Sequence, residues 1–396
     1  MTRAGLKREA KRAAMKVFLV AGEESGDQLG AGLMRALRAR QPGVVTAGVG
    51  GTAMAKEGLE SLFPMDDIAV MGFVSVIARL PLLVKRIGET AEAALRFEPD
   101  VLAIIDSPDF THRVARRLRA ARPDLPIVDY VSPTVWAWRP GRAAQMRRSI
   151  DHVLALLPFE PEAHRRLGGP ACSYVGHPLI ERLDVLTPNE DEMRARSADP
   201  PLVLVLPGSR RSEVTRLLDD FGAAIGLIRS TFGPVEVVLP AVPHLEALIR
   251  ARVADWPWPP RIVTGEAEKF AAFRRARAAL AASGTVTLEL ALASVPQCVA
   301  YKVSWAEGFL KYVITVPSIV LPNLILGENV VPEFLQEACT PHKLAGAMVA
   351  LLRDGPDREA QIAAFQRLKE LMSLADGESP AGRAAEIVIK AGSQRS

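Results

Sequence analysis

Four times along the 396 residues, a short apolar run ends in a small polar turn and gives way to an amphipathic stretch. The runs are Lys16–Val20, Val101–Ile105, Leu202–Leu206 and Ala278–Ala282. Runs of this length without polar alternation, bounded by turn residues, predict strands buried on both faces. Such strands alternating with helices predict an α/β architecture with parallel sheets, because a parallel pair needs a long crossover that a helix supplies. In open parallel sheets ligands bind at the C-terminal strand ends. The four turns are therefore where function is to be sought.

The first turn, Gly22-Glu23-Glu24-Ser25-Gly26-Asp27, allows close backbone approach to a phosphate or sugar. It lacks the G-x-G-x-x-G spacing of a dinucleotide fold, and its carboxylates would repel a bare phosphate, so sugar hydroxyls are expected here. The second turn, Asp106-Ser107-Pro108-Asp109, places two carboxylates three residues apart at a strand end. Either is positioned to take a proton from a hydroxyl. Equally, the pair reads as caps for a helix starting near Thr111. The third turn, Pro207-Gly208-Ser209-Arg210, is cationic and precedes a helix, which suits a phosphate. The fourth, Ser283-Gly284-Thr285, offers backbone and hydroxyl donors to a diphosphate, and Glu289 in the next helix is placed to accept from ribose hydroxyls.

The length suffices for two domains. The expected division is a basic tail 1–14, a first domain 15–183, a linker 184–200 containing Pro188, Asn189 and a charge-rich run, a second domain 201–375, and a C-terminal helix 376–396. Apolar residues make up 49% and charged residues 24%, which excludes a disordered chain. Cys172, Cys298 and Cys339 have no metal-ligand spacing and read as free thiols of a reducing compartment; no metal is expected. Residues 1–183 hold 26 basic and 20 acidic side chains, an excess that suits a phosphorylated ligand or an anionic membrane surface and equally a basic tail with solvated helix faces. The arginines at 113, 116, 117, 119 and 122 spread around a helix without aromatic partners, which argues against nucleic acid.

No stretch reads as a secretion signal or a membrane span, so the expectation is a cytosolic protein with at most a surface attachment. The segment 71–86 is where such attachment is expected. Pro81 is read as starting a second helix. A core stripe can use Phe73, Val76, Ile77, Leu80, Val84 and Ile87. That leaves Met71, Val74, Leu82 and Leu83 off the stripe beside Arg79, Lys85 and Arg86, the pattern of an acyl-chain or membrane contact. A helix buried all round is the competing reading.

Taken in order, Gly22–Asp27, Ile105–Phe110, Tyr130–Trp138, Gly176-His177-Pro178, Leu206–Arg210, Ala282–Glu289 and Leu321–Leu324 resemble the lipid-A-disaccharide synthase family of glycosyltransferases across nearly the whole chain. The resemblance implies a GT-B-type fold, two Rossmann-like parallel-sheet domains facing across a cleft. It implies UDP-2,3-diacylglucosamine as donor, 2,3-diacylglucosamine 1-phosphate (lipid X) as acceptor, inversion at the anomeric carbon, and no cofactor or metal. A homodimer with exchanged C-terminal segments, peripheral on the cytoplasmic face of the inner membrane, is implied as well. By the same resemblance Asp106 is the base, with Asp109 left as the cap. Glu23, Ser25 and Gly26 belong to the first-domain turn, while Ser209, Arg210, Ser283, Gly284, Thr285 and Glu289 bind UDP. Asn323 and Gln336 are functional positions near the same cleft. Glu24 and Pro332 depart from the threonine and lysine the family pattern leads one to expect. Other readings are a UDP-sugar enzyme with a water-soluble acceptor or none, such as an epimerase, and a non-catalytic nucleotide-sugar sensor.

Overall fold

Strand β1 (Lys16–Ala21) is central because Val17 to Ala21 carry nothing polar, and none of the five is more than 1% exposed. It pairs in parallel with β2 (Val45–Val49) and with β3 (Val101–Ile105). Further parallel strands β4 (Ile127–Tyr130), β5 (His152–Ala155) and β6 (Ala171–Tyr174) complete a six-stranded sheet of order β2-β1-β3-β4-β5-β6. The computed structural model describes residues 14–68, 73–303, 316–375 and 377–393, the side chains of 73–78 excepted.

Strand periodicity sorts this sheet's side chains onto two cores. Phe18, Val20, Leu102 and Ile104 pack under α3 (Phe73–Phe97), α4 (Pro108–Ala121) and α5 (Gly141–Met146). Val17, Leu19, Val101, Ala103 and Ile105 pack on the other face under α1 (Glu24–Arg40), α2 (Thr52–Lys56) and α16 (Pro380–Ser393). Helix α6 (Glu160–Arg166) joins β5 to β6. The C-terminal helix thus lies on α1 of its own chain, through Ala384, Ala385 and Val388.

The second unit repeats the plan. Strands β7 (Leu202–Leu206), β8 (Glu236–Ala241), β9 (Arg261–Thr264), β10 (Ala278–Ala282), β11 (Gln297–Tyr301) and β12 (Glu333–Leu335) form an all-parallel sheet of order β12-β11-β10-β7-β8-β9. Its helices are α7 (Leu183–Leu186), α8 (Glu190–Ala195), α9 (Arg211–Thr231), α10 (Glu246–Val253), α11 (Glu266–Arg275), α12 (Thr285–Leu292), α13 (Leu321–Leu326), α14 (Pro341–Leu352) and α15 (Pro356–Met372). Val203, Val205, Leu280 and Cys298 meet Leu217, Phe221 and Met348 in its largest core.

Four expectations change. The units divide after Pro178 and again before Leu374, so residues 179–200 belong to the second unit and are not a free linker. Buried Arg196 fastens them: its guanidinium donates to the carbonyls of Phe273, Arg274, Ala293 and Ser294. A charge-rich run looked like solvated linker because composition does not reveal that its arginine caps helix ends.

Helix α3 continues through Pro81 instead of restarting there, although a proline gives no N–H to the carbonyl four residues back. Over the described side chains its stripe keeps Ile87 but not Leu80 or Val84, and the side chains of Phe73, Val76 and Ile77 lie outside the described residues. Leu83 packs on the core, with Ile87, Thr90, Ala91 and Ala94 buried behind it, while Leu80 and Val84 are 43% and 46% exposed. Leu82 is half-buried. Arg86 is not a free surface cation: it pairs with Asp67 at 2.5 Å and Glu89 at 2.6 Å, and lies over the Phe63 ring. Arg79 and Lys85 are exposed, Arg79 donating to the Asp66 carbonyl and Lys85 lying 3.7 Å from Glu89. Met71 and the Val74 side chain lie outside the described residues.

Candidate active site

In the first sheet the strand order reverses between β1 and β3, so α1 and α4 leave toward opposite faces and a crevice opens at the strand ends. Register puts Ala21 beside Ile105, and the two turns that follow interlock. Ser25 Oγ donates to Asp106 Oδ2 at 3.1 Å, and Asp106 Oδ1 accepts the Ser107 N–H at 2.8 Å. Ser107 Oγ reaches Glu23 Oε1 at 3.4 Å. Glycine is required at position 22, where a Cβ would lie 2.2 Å from that of Ser107. At Gly26 it would come within 3.0 Å of the Ile105 carbonyl oxygen.

Asp106 and Ser107 both adopt left-handed backbone, φ 56° and 44°, which costs about 1–3 kcal/mol each and persists only under strong local constraint. The constraint is visible. The Asp106 N–H donates to the Tyr130 carbonyl at 3.0 Å, and Thr111 Oγ1 donates to the Asp106 carbonyl at 2.7 Å. The outcome is a half-exposed carboxylate at the strand tip, held by a serine hydroxyl in the way a substrate hydroxyl could hold it.

Asp109 is not the cap. Helix α4 begins at Pro108 with Ser107 as its N-cap, and Asp109 sits in the first turn, 89% exposed, with Arg142 at 3.2 Å. Proline at the first helical position fixed the start earlier than a capping carboxylate would have.

A cavity of about 1850 Å³ opens beside this turn. Glu23, Ser25, Ser107 and Asp109 are part of its polar lining, which also includes Arg35, Lys56 and Arg113; Phe63, Met65, Ile68, Leu83, Ile87 and Phe110, with Leu80, are part of an apolar one. A wall of that kind suits a molecule with a hydroxylated head and an aliphatic body.

The second sheet reverses between β7 and β10, and Leu206 lies beside Ala281. The turns of Ser209–Arg210 and Ser283–Thr285 therefore emerge as neighbours. The first differs from expectation in one respect. Buried Glu213 folds back from α9 to accept the N–H groups of both Ser209 and Arg210 at 3.1 Å, and also contacts the Arg210 guanidinium at 3.3 Å. Those backbone donors are already taken, so the anion-binding capacity of this turn rests on the Arg210 side chain, 66% exposed. The Arg210-x-x-Glu213 spacing of a capping box was the signal in the sequence. Gly208, at φ 113°, admits this carboxylate.

Ser283 Oγ donates to the Ile319 carbonyl at 2.9 Å, while Gly284, at φ 151°, and Thr285 are exposed at the start of α12. Glu289 sits one turn further on, paired with Lys269 at 2.5 Å. Asn323 is 2% exposed and its amide is engaged within the unit, donating to the Val331 carbonyl and Glu333 and accepting the Val331 N–H at 2.8 Å. It clamps the segment after α13, with both amide N–H donors occupied. Gln336, at φ 51°, accepts the Val303 N–H at 3.4 Å.

Two all-parallel α/β units, each with a polar turn pair at its switch point, make this a GT-B fold. Acinetobacter baumannii MurG superposes with a TM-score of 0.59 at 15% identity, covering 95% of this chain and 99% of that one. A putative UDP-N-acetylglucosamine 2-epimerase from Listeria monocytogenes gives 0.63 at 13% identity, with 97% and 98% covered. Sequence narrows the class. The lipid-A-disaccharide synthase of Nitrobacter winogradskyi is 58% identical over 378 residues, 95% of each chain, and that of Bradyrhizobium diazoefficiens is 56% identical, covering 96% and 97%. The family model described as Lipid-A-disaccharide synthetase matches residues 17–387, and the chain belongs to that family.

Proposed function

We propose that the chain transfers a diacylglucosaminyl group from UDP-2,3-diacylglucosamine to the 6-hydroxyl of 2,3-diacylglucosamine 1-phosphate, giving the β-1′,6-linked disaccharide 1-phosphate and UDP. The observation that carries the reading is the Asp106 carboxylate, engaged by a serine hydroxyl at the strand tip beside a half-apolar cavity. Asp106 accepts the proton of the acceptor hydroxyl as that oxygen bonds to the anomeric carbon. The bond from that carbon to the UDP oxygen breaks on the opposite face, so the configuration inverts and UDP leaves with the electron pair. The Arg210 guanidinium and the start of α12 supply positive charge for the departing diphosphate. Glu289 serves the ribose only if Lys269 shares it.

The apolar lining of the cavity takes acyl chain. Exposed Leu80 and Val84, with Arg79 and Lys85 beside them, support contact with an anionic membrane surface on the cytoplasmic side of the inner membrane. No helix among the described residues is long and apolar enough to cross a bilayer. The test is to incubate the protein with both substrates and weigh the products by mass spectrometry. Disaccharide 1-phosphate and equimolar UDP are expected. UDP release without disaccharide, or an altered sugar epimer, would overturn the proposal.

A further inference from the structure

Behind the loop that follows β4 stands a carboxylate for which the mechanism above has no use. Glu160, at the start of α6, is 3% exposed, and no lysine or arginine pairs with it among the described residues. It accepts the Leu157 N–H at 2.9 Å and the indole N–H of Trp136 at 3.1 Å. Capping a helix does not require a buried carboxylate, since serine or asparagine does so without the cost of burying charge. The contact that distinguishes Glu160 is the one to Trp136.

Trp136 belongs to the loop between β4 and α5, and this loop borders Asp106. At its start the Tyr130 carbonyl receives the Asp106 N–H, and the next residue, Val131, is held at φ 88°, a conformation a β-branched residue rarely adopts. Just past its end, in the first turn of α5, Arg142 reaches Asp109. Its back is fastened to α6 twice: Ser132 Oγ meets His164 Nε2 at 2.8 Å, both groups buried, and Trp136 meets Glu160 while its ring packs edge-on against Phe159 at 5.1 Å. Strained backbone at Asp106, Ser107 and Val131 survives only if its neighbours hold it.

We propose that Glu160 is a positioning residue: by holding the Trp136 indole it fixes the β4–α5 loop against the strand end that carries Asp106. The inference rests on the reading of Asp106 as the base. Burial lifts the Glu160 carboxyl from its ordinary 4.5 to about 7, so its charge changes within the working range of an enzyme. The ionisable groups around it are His164 on α6, whose basicity burial lowers, Cys172 on β6, whose thiol burial raises, and Asp129 on β4, bonded to His112 on α4 at 2.9 Å. Ionised Glu160 grips the indole N–H more strongly than the neutral acid does.

The experiment is the pH profile of kcat from pH 5.5 to 8.5 for the wild type, Glu160→Gln, Trp136→Phe and the double variant, with donor KM measured throughout. Wild-type kcat should rise severalfold through a transition near pH 7. Both single variants should lose that transition and run about tenfold below the wild type at pH 8, with donor KM unchanged. The double variant should be no worse than Trp136→Phe alone, because both changes act on the same contact, one weakening its acceptor and the other removing its donor. A Glu160→Gln enzyme with wild-type kcat and an unchanged profile would overturn the proposal, as would losses that simply add in the double variant. Asp106→Asn, run alongside, separates the two readings: if it keeps turnover the base assignment fails, whereas an inactive Asp106→Asn beside an unaffected Glu160→Gln sinks the positioning role alone.

Discussion

Glu160→Gln also makes a stability prediction whose size and sign follow from burial. The carboxyl moves from 4.5 to about 7 on folding, a shift worth about 3 kcal/mol at full ionisation. The folded pKa lies above the unfolded one, so the folded state binds the proton more tightly. The stability this group contributes is fully present below pH 4.5 and is lost as pH rises through 7. Glutamine imitates the protonated acid at every pH. Near pH 4.5 the variant and the wild type should therefore melt together. By pH 8 the variant should be the more stable by about 3 kcal/mol, or roughly 5–10 °C for a domain of this size. His177, whose burial lowers it to about 4, acts in the opposite sense, destabilising as pH falls from 6.5. It is common to both proteins and drops out of the difference. The assay is thermal unfolding from pH 4.5 to 8.5, followed by near-ultraviolet circular dichroism. Melting curves whose separation does not change with pH would refute the reasoning, and a wild type that gains on the variant toward pH 8 would reverse its sign.

Gly22→Ala should cost on the order of 2–3 kcal/mol and most of the activity, since its Cβ would sit 2.2 Å from that of Ser107 and the two interlocked turns would have to part; melting temperature and turnover measure both. Asn323→Ala should destabilise the second unit by about 3 kcal/mol in urea unfolding, because it strands the Val331 N–H and carbonyl in a buried site. Arg210→Ala should weaken UDP binding by about tenfold in calorimetry, the loss of one charge-assisted contact, and leave the fold intact because the residue is exposed. Unchanged UDP affinity would remove Arg210 from the donor site.

Several features were legible in the chain because they depend on local pattern. β1, β3, β7 and β10 were readable as uninterrupted apolar runs, and the polar turns after them named the strand ends where ligands bind. Pro81 and Asp109 misled for a shared reason. A proline marks a helix start statistically, yet α3 runs through one, and a carboxylate near a helix start need not be its cap when Pro108 begins the helix. Leu80 and Val84 were misplaced on the α3 stripe because they satisfy a helical period as well as Leu83 does; the sheet beneath chose between them.

What the sequence by itself determined is the four strands that end in the polar turns, the parallel pairing that helical crossovers impose, and the family, since these are written in periodicity and in motifs of contiguous residues. Only the tertiary structure decided which groups remain available for chemistry. Glu213 occupies the backbone donors of Ser209 and Arg210, Asn323 is consumed by its own neighbours, and Arg196 turns an apparent linker into part of a domain. Sequence also could not show that Glu160 stands behind Trp136, 24 positions away, or that Ser25 meets Asp106 across 81. Hydrogen bonds are satisfied by whatever lies within about 3 Å, and that proximity is created by the packing of the whole unit.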